Sequence, residues 1–159
     1  MFIILPSDVQ DKTWLATNTI ASYQTTLSEP INRPPPLGRR ACVYSVTYPC
    51  NWAYQGGSPP KQDVQFYVSV SIFDYRAVIG PRLDHVRRSN AGQDAIFAFV
   101  PEPPKPGQAG SYNCVKNYLV YHRLLPGPDI RTVSVTISDC LGRPVDFKSG
   151  TAVVTLHIE

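Results

Sequence analysis

Three histidines, four cysteines and a scatter of carboxylates are the residues here with the means to move protons, attack carbonyls or hold a metal. Their spacing decides what they can do. His85, His122 and His157 stand far apart, and none falls at the short intervals of a zinc motif. Cys42, Cys50, Cys114 and Cys140 are equally scattered, with no C-x-x-C. Asp84 beside His85 offers a base and an orienting carboxylate, but sequence neighbours rarely face each other in the way a proton relay needs. A glycosidase pair requires two carboxylates held at a fixed separation. Asp74, Asp94, Asp129, Asp139 and Asp146 sit instead mostly in loops or at strand ends, and Asp139 next to a glycine-containing turn reads as a turn residue. The stretch 74–84 is too apolar for a calcium loop. No nucleophile elbow, P-loop or dinucleotide glycine signature occurs, and the glycines at 56–57 read as a plain turn. The sequence therefore predicts no catalytic set, no cofactor, no metal and no enzyme.

The remaining chemistry is that of contact. Arg39-Arg40 and the loop arginines Arg82, Arg87 and Arg88 can meet phosphates or carboxylates, though solvated loops are the simpler reading. Net charge is only +3, 17% of residues are charged, and no basic run exceeds two residues. That balance does not point to direct nucleic-acid binding. Trp14, Trp52, Tyr48, Tyr54 and Tyr67 cluster at strand ends and loops. Such rings either plug the ends of a sandwich or anchor an interface, where Trp, Tyr and Arg are enriched.

These side chains must be positioned by strands. The sixteen prolines forbid long helices and suit short strands joined by loops. Period-two alternation is clearest in three places. Residues 132–138 put Val133, Val135 and Ile137 on one face, 151–158 put Ala152, Val154, Leu156 and Ile158 on one face, and 64–73 align Phe66, Val68, Val70 and Ile72. Weaker candidates are 2–5, 20–27, 41–48, 75–79, 95–100 and 117–123, and 83–91 has the composition for a single helical turn. Long connectors at 29–40, 51–63 and 101–111 are rich in proline and glycine, the last favouring extended, polyproline-like backbone. Many short strands with such loops predict an all-β sandwich with little helix, and loops this long fit jelly-roll or Greek-key crossings. At 159 residues the chain reads as one domain, 1–159. The apolar opening MFIIL is too short for a signal peptide and no run is long enough for a membrane span, so the cysteines read as four reduced thiols. The last strand runs to residue 159 without a polar tail, which suits a strand paired inside a sheet.

Several segments, taken in order, resemble one family. They are ILPSD at 4–8, ATNTIASYQTTLSEPI at 16–31, VYSVTYPCNW at 43–52 and VSVTISDCLGRPVDFKSGTAVVTLHI at 133–158. This order is similar to the single jelly-roll minor capsid (penton) proteins of polinton-like viruses, adintoviruses and their adenovirus-like relatives. The resemblance implies a virion protein assembled in the nucleus or cytoplasm of a host cell. It implies about eight strands wound as a jelly roll, with five copies filling an icosahedral vertex beside a double jelly-roll major capsid protein. On that reading Val145–Phe147 is a short strand between two turns. Trp52, Tyr54, Pro103 and Pro104 then supply one subunit or capsid contact, and Arg82, Arg87 and Arg88 a second. The competing expectation is a carbohydrate-binding jelly-roll module whose exposed Trp and Tyr stack on sugars. A hydrolase on a sandwich is weaker, since the sequence offers no clustered triad.

Overall fold

The computed structural model describes residues 1–7, 17–32, 39–59, 65–73, 87–88, 94–125 and 127–159. The expected strand at 75–79, most of the helical turn at 83–91, and Trp14, Asp74, Arg82, Asp84 and His85 lie outside the described residues. The described chain is all-β and antiparallel. In order, its strands are β1 (Phe2–Pro6), β2 (Ser22–Ile31), β3 (Arg40–Pro49), β4 (Trp52–Ala53), β5 (Phe66–Val70), β6 (Arg87–Arg88), β7 (Asp94–Ala95), β8 (Phe97–Phe99), β9 (Ser111–Val115), β10 (His122–Arg123), β11 (Ile130–Ser138), β12 (Asp146–Phe147) and β13 (Val153–Ile158).

Two sheets face each other. One runs β1-β13-β3, with β9 and β10 sharing the far edge of β3; the other runs β2-β11-β5-β8. The pairing is nested: first strand with last, β1 with β13, then β2 with β11, β3 with β9 and β5 with β8. Beside the sandwich lie two small ladders, β12 on β4 and β6 on β7. Residues 87–88 are thus extended and paired with 94–95, not part of a helical turn.

One buried cluster fills the space between the sheets. Val133, Val135, Ile137, Val154, Leu156, Phe66, Val68 and Val70 all lie within it, as their alternation predicts, while Thr136 and Thr155 face outward. Cross-sheet polar atoms are satisfied inside the cluster. Tyr23 Oη donates to the Leu5 carbonyl at 2.6 Å. The buried Ser7 donates its N–H to the Ala152 carbonyl and accepts the Ala152 N–H on Oγ, both at 2.8 Å, which extends the β1–β13 ladder by one residue.

Prolines fall where a missing N–H does least harm. Pro6 ends edge strand β1, Pro30 sits in edge strand β2, and Pro49 closes β3. Near Pro30 the β2–β11 register breaks. Thr132 pairs with Thr26 but Ile130 with Ile31, so Leu27–Pro30 has no partner position on β11 and stands off as a bulge. At the other end of β2, the Asn18 side chain mimics a strand: its Nδ2 donates to the Gln24 carbonyl and its Oδ1 accepts the Gln24 N–H, at 3.1 and 3.0 Å.

Candidate functional site

Three loops far apart in sequence meet at one end of the sandwich. They are 51–59 with β4, the proline loop 101–110, and the turn 139–150 with β12. Tyr48, at the end of β3, is the hub. Its ring lies 5.1 Å from Phe99, 5.6 Å from Tyr112 and 6.2 Å from Phe66, and its Oη accepts the Glu102 N–H at 2.9 Å. Trp52 Nε1 donates to the Glu102 carbonyl at 3.3 Å, and Tyr112 Oη donates to the Pro103 carbonyl at 2.8 Å. Cys50 donates its N–H to Gly110 and accepts that of Lys105. Pre-set proline backbone and three aromatic hydrogen-bond handles therefore fasten this loop to the core.

This geometry sorts the sequence-predicted contact residues. Trp52, Tyr54, Pro103 and Pro104 are brought to the same end. Trp52 is only 5% exposed, edge-on to Phe66 and Tyr54, so its ring plugs the sandwich and leaves little surface for a neighbour. Tyr54 is half-buried, while Pro103 and Pro104 are exposed. Arg87 and Arg88 form β6 on the Val70 side of β8, away from that end. Arg82 lies outside the described residues.

The turn at 139–143 shows why Asp139 is there. The buried carboxylate takes the Leu141 and Arg143 N–H groups on Oδ1 at 2.9 and 3.1 Å, and Arg143 Nε on Oδ2 at 2.7 Å. Arg143 Nη1 then reaches the Gln55 carbonyl at 2.9 Å, tying this turn to the 51–59 loop. The cluster is structural, with every carboxylate oxygen engaged.

Thiol, phenol and imidazole meet on the outer face of the first sheet. Tyr121 Oη shares a hydrogen bond with His157 Nδ1, and the phenol also hydrogen-bonds the Cys42 thiol. Burial pushes the Cys42 thiol up, outweighing the hydrogen bond from Tyr121, and Cys42 is closed from solvent. A protonated, covered thiol is a poor nucleophile. Among the described residues no three His, Cys, Asp or Glu side chains gather as a metal site, and no helix is long and apolar enough to cross a membrane.

The exposed apolar side chains fall mainly on the two opposite sides of the sandwich, and sequence reading missed them. On the β1 side stand Met1, Phe2 (58% exposed) and Ile4 (66%). Phe2 packs on Tyr44 and His157 across the sheet. A groove of about 440 Å³ opens between β1 and the bulged part of β2, lined by Ile4, Leu27 and Glu29 among others. On the other side stand Val100, Val115, Tyr118 (57%) and Leu119 (37%). There the connector between β9 and β10 folds over the edge of β8, with Lys116, Tyr118 and Val120 lining a small cleft against Phe97. The signal available in sequence was alternation in 2–5: Phe2 and Ile4 share the face opposite Ile3 and Leu5.

No protein-family model, curated protein or solved structure matches this chain.

Proposed function

We propose that this chain is a structural virion protein, a penton or minor capsid protein whose homopentamer occupies an icosahedral vertex beside a double jelly-roll major capsid protein. The observation that carries the reading is the nested pairing of β1 with β13, β2 with β11, β3 with β9 and β5 with β8. Such nesting, a ribbon doubled on itself and wound into two sheets, supports the jelly-roll reading. The ordered motifs at 4–8, 16–31, 43–52 and 133–158, which resemble the single jelly-roll pentons, add the functional class to that winding. Unlike apolar patches on opposite sides suit a head-to-tail contact that closes as a ring.

A carbohydrate-binding module would hold an aromatic face open beside polar ligands for sugar hydroxyls. Here Trp52 and Tyr48 are buried and used by the proline loop, which weighs against that alternative. The experiment is native mass at micromolar concentration with negative-stain imaging, followed by co-assembly with a major capsid protein. A five-membered ring that caps particles is expected. A monomer that neither joins particles nor associates, and that binds a glycan array, overturns the proposal.

A further inference from the structure

We propose that this chain closes on copies of itself side to side, with Tyr118 and Leu119 of one copy seated in the β1–β2 groove of the next. The inference rests on the assembly reading above and names its contact.

Several observations lead there. The groove and the Tyr118–Leu119 connector lie on opposite sides of the sandwich, because β1 and β2 are one pair of sheet edges while β8 and the β9–β10 edge are the other. A contact between them is heterologous, the kind that generates rings. The shapes are complementary: one side offers a groove of about 440 Å³ and the other a projecting pair of large apolar side chains. The charges match as well. Glu29 lines the groove, and Lys116 stands two residues before Tyr118 on the opposite side, its ammonium 5.3 Å from the centre of the Phe97 ring. Finally, the strands run the right way. In the order β1-β13-β3-β9/β10 each neighbour is antiparallel, so β1 and β9 run oppositely. Rotation about an axis along the strands brings β1 of one copy beside β9 of the next in antiparallel sense. The bulged stretch Leu27–Pro30 itself lines the groove.

The test uses the full chain. Leu119→Asp places a charge where the groove would bury it, and is expected to weaken association roughly tenfold or more. Because Leu119 is exposed in the single chain, the melting curve of the dissociated variant should match that of the dissociated wild type. The double variant Ser28→Cys/Leu119→Cys, treated with a short bis-maleimide, should give a ladder from dimer to closed ring. Each single variant should give no more cross-link than wild type. A wild-type ring that keeps its mass with Leu119→Asp and yields no ladder overturns this contact and leaves the assembly reading standing. A wild type that stays monomeric at every concentration and yields no ladder overturns both. If Leu119→Asp fails to fold, the cross-link decides alone.

Discussion

Asp139 holds a whole turn with one side chain. Its two oxygens take the Leu141 and Arg143 N–H groups and the Arg143 guanidinium, with the carboxylate almost fully buried. Asp139→Ala strands these donors and is expected to cost about 2–4 kcal/mol. Asp139→Asn keeps an acceptor for the backbone and should cost less. Urea unfolding of both variants checks this, and an Ala variant within about 0.5 kcal/mol of wild type contradicts it. Tyr48 is the second sensitive residue. Desolvation pushes its phenol from 10 up to about 12, and the Glu102 N–H offsets only part of that rise; burial drives Tyr23 up further. A raised folded-state value means that the native protein holds its proton where the unfolded chain has lost it. Stability is thus whole below about pH 10 and falls as pH rises through about 12. Tyrosinate absorbance should show a component, from Tyr23 and Tyr48, that ionises above the usual tyrosine range and together with loss of the fold. Nine tyrosines titrating near pH 10 in a folded protein would refute it.

At the scale of the element, alternation is what made the fold readable. From Val133 to Ile137 in β11 and throughout β13 every second residue is buried, because each strand has a sheet neighbour on both sides and one face against the core. Leu156→Ala, at the centre of that face, is expected to cost about 2–5 kcal/mol by chemical denaturation. Thr155→Val, facing outward, should change stability little, and equal losses from the two would mean a slipped register. Elements set by distant partners were harder to read. β4 and β12 are two residues each and exist because Trp52 and Phe147 pair across the chain. β9 follows a proline loop and carries only Tyr112 and Cys114 inward, so its alternation is short and its flanks read as loop. Residues 117–123 alternate as a strand would, yet only 122–123 pair with β3, because the preceding connector bends away to cover the side of the sandwich. The end-loop cluster was half legible: its aromatics were visible as a group, but not that the proline loop would consume their hydrogen-bonding groups. Of the apolar sides only the alternation in 2–5 was legible, since which edges are open depends on the sheet order.

For the whole molecule, the two regions make opposite demands on a variant. The end of the sandwich holds itself together: Glu102, Pro103 and Lys105 are bonded to Trp52, Tyr48, Tyr112 and Cys50. The sides keep apolar groups in solvent, at Ile4 and Tyr118 above all. Trp52→Ala should therefore act as a core change, costing about 3–5 kcal/mol. Shortening 102–109 should likewise lower the melting temperature by uncovering Tyr48 and Trp52. Neither change touches the sides, so on the proposed side-to-side assembly the surviving folded chains should still reach the wild-type native mass. Leu119→Asp should do the reverse. Since a partner that binds only the folded state adds stability by mass action, the wild-type melting temperature should climb with protein concentration, and this dependence should vanish in Leu119→Asp but persist in Trp52→Ala. Calorimetry over a hundredfold concentration range, with native mass on the same samples, separates the cases. Loss of association in Trp52→Ala with an unchanged melting temperature would move the contact from the sides to the proline-loop end.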